Sequence, residues 1–379
     1  MTLRSVVAPP ARLVARGLVG ARTARWADHS HLFAVGDRGG WSVEEDAQHL
    51  AEAARRLGFR VGPAGWARFA LRQSVFLTSH FEAFSPRWLD SSHRLATAYL
   101  HGRPGTTGFP EFDHALESLR RHPARVCRIQ VTHGEMYDLV LEAGVHPERV
   151  FKIPIGIDLE HFPVGSPDLR TQARQELGLL ASDFVLGSFQ KDGIGWGEGL
   201  EPKLVKGPDA FVAVVEHLRG HVPELTVLLT GPARGYVRRE LERLGVPYRH
   251  VLAGSRPELA RAYHALDVYV VSSRQEGGPK AVLEAMASGV PLVSTRVGQA
   301  QELVKDCGNG LLCDVDDVES LATGVLRLRE DAELAASLRE AGRTTAEAHA
   351  LEQLDPLWAA LLEEFVTHQE QRYPGGAPG

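Results

Sequence analysis

The second half of the chain alternates short β-branched and aliphatic runs with amphipathic helical stretches, and that alternation leaves little freedom of fold. The runs are DFVLGSF (183–189), LTVLLTGP (225–232), DVYVVSS (267–273), PLVSTRV (291–297) and LLCDV (311–315), separated by patterns such as DAFVAVVEHL and ARAYHAL. Runs apolar on both faces belong in a parallel sheet covered by helices, so each strand feeds a crossover helix. An earlier, less regular series does the same in HLFAVGD (31–37), SVFLTSH (74–80), RLATAYLHG (94–102), CRIQVTH (127–133) and VFKIPIG (150–156). A chain of 379 residues has room for two such doubly wound α/β domains. The expected division is an N-terminal Rossmann-like domain over 1–165, a linker region over 166–182 behind the breakers of FPVGSPD, a C-terminal Rossmann-like domain over 183–348, and a terminal helix over 349–379 that packs back toward the first domain and ends in a frayed tail. The space between two such domains is the default ligand site.

Composition removes several function classes. Lys plus Arg number 42 against 48 Asp plus Glu, a net charge of -6, so nothing global attracts nucleic acid. Three cysteines, Cys127, Cys307 and Cys313, make neither a disulfide framework nor a zinc knuckle, which points to a reducing, cytoplasmic setting. No run approaches the roughly 18 apolar residues of a membrane span. Residues 1–27 carry Arg4, Arg12, Arg16, Arg22 and Arg25 and no acid, and read either as a leader helix packed on the first domain or as a basic amphipathic helix in peripheral contact with an anionic membrane face.

The most informative stretch is SRQEGGPKAVLEAMASG (273–289), a loop and helix between two apolar strands. Gly277 and Gly278 allow a tight turn, Pro279 suits a first helical position, and Gly289 suits the C-terminal cap. The free N–H groups around 278–281 then leave a helix N-terminus at the C-terminal edge of the sheet, where a phosphate is favoured, and Lys280 adds a full charge. Glu276 and Glu284 frame this anion site. A carboxylate beside a phosphate pocket needs hydroxyls to accept from, so the pair suggests a ligand with both phosphate and sugar.

The frame E-G-G-P-K-A-V-L-E-A-M-A-S-G-V-P-L-V-S-T, with NGLL (309–312) after it, resembles the signature of family 4 glycosyltransferases. The resemblance implies a retaining enzyme of the GT-B fold, two Rossmann-like doubly wound domains facing a central cleft, with the acceptor on the first and a nucleoside diphosphate sugar on the second. It implies that Glu284 binds the ribose and Glu276 lies against the transferred sugar. The donor is expected to be a UDP-sugar or GDP-sugar, with no further cofactor and no metal, and the acceptor a glycan, lipid or small molecule.

GSFQKDGIGWGEGLEPKLVKG (187–207) is the second glycine- and lysine-rich strand end. Only six lysines stand against 36 arginines, and Lys191, Lys203, Lys206 and Lys280 fall in these two segments. The resemblance implies a basic pair on the diphosphate, which Lys191 and Lys206 match, with Lys203 a third; the family more often has Arg at the first position, and GIGWGEGLEP departs from its short form. In the N-terminal loop GDRGGWS, Gly39 and Gly40 permit close backbone approach, and Ser42 with Glu45 suits a helix cap. This loop resembles the one that faces the donor phosphates and acceptor. It lacks G-x-G-x-x-G, so a dinucleotide fingerprint is absent. His101, ending RLATAYL before Gly102, matches the family's histidine beside the transferred sugar and leaving phosphate; His80 competes for that role, and His133 stands where the family has a serine.

Asp314-Val315-Asp316 mimics a D-x-D metal motif but sits where Asp caps a helix. No nucleophile elbow supports hydrolysis. The alternatives are a nucleotide-sugar epimerase or sugar phosphorylase of the same fold, and a noncatalytic sugar-nucleotide-binding subunit.

Overall fold

The computed structural model describes residues 29–36 and 41–367, the side chains of Trp41 and Ser42 excepted. The basic leader therefore lies outside the described residues. Two compact units emerge, one of residues 1–153 with 354–379, the other of residues 154–353. Among the described residues no helix is long and apolar enough to cross a membrane.

The first unit holds a parallel sheet of β1 (Leu32–Val35), β2 (Ser74–Leu77), β3 (Arg94–Ala98), β4 (Val126–Val131) and β5 (Val150–Lys152), in that spatial order. Val61 bridges Leu32 on the far side of β1 from β2, so the chain reverses direction across the sheet at β1. Helix Trp41–Arg56 follows β1 and sends Ala47, Leu50, Ala51 and Ala54 into the core. The Ser42 cap expected from the sequence lies outside what is described, since residues 37–40 and the Ser42 side chain are not among the described ones. The closing helix Asp355–Leu362 buries Trp358, Leu361 and Leu362 in the same core, with the Trp358 ring edge-on to Phe76 at 5.9 Å. Burial of side chains this large is worth about 1.5–3 kcal/mol each, enough to hold a short helix against a distant sheet.

The second unit carries β6 (Phe184–Ser188), β7 (Leu225–Thr230), β8 (Tyr248–Val251), β9 (Val268–Val271), β10 (Leu292–Thr295) and β11 (Leu311–Cys313). Their order is β11-β10-β9-β6-β7-β8, all pairs parallel. The order reverses between β6 and β9, and at such a switch point two loops diverge at the C-terminal ends of adjacent strands and leave a crevice. Helix Pro167–Glu176 precedes β6 and belongs to this unit: Arg174 donates to the Ala265 carbonyl at 3.1 Å and pairs with Asp267 at 2.7 Å. Both faces of the sheet are covered, which is why β6, β7, β9 and β10 read as continuous apolar runs.

The acidic run after β11 also has a structural account. Asp317 caps helix Val318–Glu330 by accepting from the Ser320 N–H, while Asp314 pairs with Arg296 and Asp316 with Arg274. Among the described residues no group of His, Cys, Asp and Glu is placed to hold a metal. The three cysteines are free thiols, and burial pushes that of Cys313 up to about 11.

Candidate functional site

The loops that leave β6 and β9 are sewn together. Beyond β9, the N–H groups of Arg274 and Gln275 both donate to the Val205 carbonyl, at 2.9 and 3.0 Å. Gly207 makes the approach possible. It takes a left-handed φ of 61° at the start of helix Pro208–Leu218, and a Cβ there would lie 1.9 Å from the Ser272 carbonyl oxygen. Glycine at 207 is thus a geometric necessity, and Lys206 beside it is a source of charge.

That seam brings Lys206 to Glu276. Lys206 Nζ lies 2.5 Å from Glu276 Oε2, and Ser273 Oγ donates to Glu276 Oε1 at 2.9 Å. Gln190, two residues past the end of β6, donates from Nε2 to the Lys206 carbonyl at 2.8 Å and lies 3.2 Å from Ser273 Oγ through Oε1. Gln190 and Ser273 were not singled out from the sequence, although their position at the ends of the two switch-point strands was a usable signal.

Glu276 leads into Gly277, Gly278 and Pro279, with Pro279 at the cap position and helix Lys280–Ala287 behind it. The helix ends at Ser288, and Gly289 follows in the left-handed conformation at φ 70°. Helix N–H groups at the start have no intrahelical acceptors, so the turn presents partial positive charge toward the Glu276 loop. The turn is tightly held: a Cβ on Gly278 would meet Ile155 at 2.7 Å, and Gln299 donates its N–H to the Gly277 carbonyl at 3.0 Å. The Gln299 side chain meanwhile pairs with both backbone groups of Ile155.

Glu284, 5% exposed, lies on the buried side of this helix. Arg256 reaches its Oε1 at 2.6 Å and the Tyr263 hydroxyl donates to Oε2 at 2.9 Å. A carboxylate has about four acceptor positions, so these partners orient it while leaving lone pairs for a ligand hydroxyl. Burial, then the Glu284 charge, hold the Tyr263 phenol well above its ordinary range, which keeps it a donor. Neither Arg256 nor Tyr263 carried a sequence signal: Tyr263 falls in ARAYHAL (260–266), which reads as an ordinary amphipathic helix, and Arg256 lies ahead of it in SRPEL (255–259), a plain helix start.

The basic residues of the first loop separate. Lys191 is half-buried, its Nζ 4.1 Å from the centroid of the Trp196 ring, and burial lowers its pKa. Lys203 gives its backbone N–H to the Asp192 carbonyl at 2.7 Å, and its half-buried side chain lies before Leu204. Lys280 is the first residue of its helix and half-buried.

His101 belongs to the first unit, three residues past Ala98 at the end of β3, and precedes Gly102 at φ 125°. Its ring meets those of His80, Phe81 and Phe112 edge-on at 5.6–6.0 Å. His80 stacks on Tyr99 at 4.2 Å, and burial, followed by the His101 charge, holds its pKa well below the ordinary value. His133 starts helix Gly134–Glu142 as its cap residue and contacts Thr132 Oγ1 at 2.9 Å. Gly39 and Gly40 lie outside the described residues.

Residues 200–345 match the family model described as Glycosyl transferases group 1. A D-inositol 3-phosphate glycosyltransferase of Xylanimonas cellulosilytica is 34% identical over 255 residues, covering 64% of this chain and 57% of the relative. Its counterpart in Corynebacterium urealyticum is 26% identical, covering 77% of this chain and 70% of the relative. The chain thus spans little more than half of the first relative's length. Among solved structures, Anabaena Alr3699/HepE in complex with UDP and glucose superposes with a TM-score of 0.71 over 88% of this chain and 99% of that one, at 17% identity. Sucrose-phosphate synthase (tll1590) from Thermosynechococcus elongatus gives 0.68 over 88% and 98%, at 18% identity. At such identities the likeness is one of fold, and that fold is GT-B.

Proposed function

We propose that this chain is a glycosyltransferase of the group 1 family, whose model it matches over residues 200–345, and that it moves a sugar from a nucleoside diphosphate sugar to an acceptor with retention of configuration. The donor binds on the second unit and is a UDP-sugar or GDP-sugar; the acceptor is a glycan, a lipid or a small molecule. The observation that carries the reading is the ion pair between Lys206 and Glu276 at the β6/β9 switch point. A cation suited to a phosphate and a carboxylate suited to sugar hydroxyls share one contact, as expected where phosphate and sugar are to be held side by side.

In this reading Glu284, oriented by Arg256 and Tyr263, accepts from the ribose hydroxyls. The turn of Gly277, Gly278 and Pro279, with Lys280, Lys191, Lys206 and the neighbouring Lys203, receives the diphosphate. As the glycosidic bond breaks, negative charge grows on the departing diphosphate, and cations held in place beforehand stabilise it more than they stabilise the bound donor. Glu276 gives up Lys206 to the phosphate and accepts from the sugar. His101, Gly39 and Gly40 keep the roles that the family resemblance implies, His101 toward the transferred sugar and leaving phosphate and the two glycines toward the donor phosphates. The reading includes a cytoplasmic location; for the basic segment 1–27 it keeps both a leader packed on the first domain and peripheral contact with the inner face of the membrane.

Calorimetric binding of UDP, GDP, ADP and TDP tests this. One diphosphate is expected to bind best, and Glu284→Gln to weaken it at least tenfold while the melting temperature changes little. Binding of none of them, or equal affinity in the variant, would overturn the assignment of the donor site.

A further inference from the structure

We propose that Asp192 and Arg234 are positioning residues that aim Lys191 at the donor diphosphate, acting through the inserted loop 193–202. The inference rests on the donor reading above.

The inserted segment GIGWGEGLEP carries Gly193, Gly195, Gly197 and Gly199, a composition that by itself favours a mobile loop. The structure instead closes and seats it. At its base Lys203 donates to the Asp192 carbonyl at 2.7 Å, Ile194 to the Glu201 carbonyl at 2.9 Å, and Gly193 bridges Pro202. At its far side the first N–H groups of helix Gly235–Leu244 are taken by loop carbonyls: Gly235 donates to Glu198 at 2.7 Å and Tyr236 to Gly199 at 2.9 Å. Gly193 and Gly199 rest so closely on the turn after β7 that a Cβ on either would lie 2.3 Å from the Ala233 carbonyl oxygen.

Beneath this seat lies an ion pair with no solvent access. Arg234 Nε donates to Asp192 Oδ1 at 2.9 Å, and both side chains are 0% exposed. Arg234 Nη1 also donates to the Ser188 carbonyl at 2.6 Å and the Thr230 carbonyl at 2.9 Å, and Nη2 to Ser188 Oγ at 3.2 Å. One guanidinium therefore ties the ends of β6 and β7 to the residue that follows Lys191. Asp192 Oδ2 has no protein partner, so the carboxylate is not fully compensated, and burial raises its pKa despite the adjacent arginine. A buried ion pair often adds little net stability over apolar residues of similar volume, so its role here is read as fixing the register of the chain around Lys191. That register sends Asp192 inward and leaves Lys191 half-buried with its ammonium on the face of Trp196, itself 64% exposed. Lys191 is thereby held from below through the backbone and from outside by the indole.

A double-mutant cycle tests this, with UDP or GDP, whichever the wild type binds, as the calorimetric probe. Asp192→Asn, near-isosteric and able to keep the Arg234 Nε bond, is expected to weaken the diphosphate about tenfold. In a Lys191→Met background the same substitution is expected to cause no further loss, because its effect passes through Lys191. Arg234→Lys, which keeps the charge but not the fork, runs through the same cycle if Asp192→Asn does not fold, and is expected to behave alike. Additive losses in both cycles, an unchanged affinity in a folded Asp192→Asn, or failure of both variants to fold would overturn the proposal in favour of a purely structural pair. A wild type that binds no nucleoside diphosphate overturns the donor reading and this inference with it; a wild type that binds while the losses add overturns this inference alone.

Discussion

Replacing Gly207 by alanine separates two costs that the structure sets side by side. The left-handed backbone at φ 61° costs a residue with a Cβ about 1–2 kcal/mol, whatever surrounds it. At Gly207 the new methyl would also stand 1.9 Å from the Ser272 carbonyl oxygen, well inside contact distance, so β9 or the start of helix Pro208–Leu218 must shift. Forced repacking of this kind adds about 1–3 kcal/mol. The sum, about 2–5 kcal/mol, lowers the melting temperature of a unit this size by roughly 5–20 °C. Gly195 supplies the control, with φ 78° but nothing within 4 Å of its would-be Cβ. Gly195→Ala therefore carries the backbone cost alone, about 1–2 kcal/mol and a few degrees. Thermal unfolding followed by circular dichroism measures both. Because Gly207 sets the approach of Lys206 to Glu276, Gly207→Ala is also expected to lose nucleoside diphosphate affinity. If the two variants melt together, close packing of Gly207 on Ser272 is not what holds the seam, and the reasoning fails.

Glu284→Gln keeps an acceptor for Tyr263 and loses the charge opposite Arg256, so a stability loss of only about 1–2 kcal/mol is expected in denaturant titration; a loss above about 4 kcal/mol would mean that the carboxylate is chiefly structural. Gln299→Ala strands the N–H and C=O of Ile155, both bonded by the Gln299 side chain, and is expected to cost about 1–3 kcal/mol for each group left unsatisfied; a neutral result would refute the clamp. For His80, whose pKa burial holds well below the ordinary value, the unfolded chain binds the extra proton. Stability is therefore complete above about pH 6.5 and falls as the pH drops below it, by at most about 1.4 kcal/mol per pH unit. His80→Phe is expected to flatten that part of the stability profile, and an unaltered slope would show that the imidazole is protonated when folded.

Local pattern was enough to read the two-sheet architecture, because a strand buried on both faces must be apolar throughout and a helix covering it must be apolar on one side. DFVLGSF, LTVLLTGP and DVYVVSS are legible as β6, β7 and β9 for that reason, and the glycines and glutamates of 276–289 mark the end of a strand and the start of a helix without any knowledge of their neighbours. Edge strand β8 escaped the same reading, since YRHV is only partly buried and alternates poorly. Tertiary structure alone decided which side chains meet. Lys206 and Glu276, Asp192 and Arg234, Tyr263 and Glu284, and Gln299 and Ile155 are distant in sequence, and each pairing depends on how far neighbouring strands extend and how the loops and helices beyond them settle. A charge or a hydroxyl in a sequence has many possible partners, and only a packed sheet with fixed strand order reduces them to one.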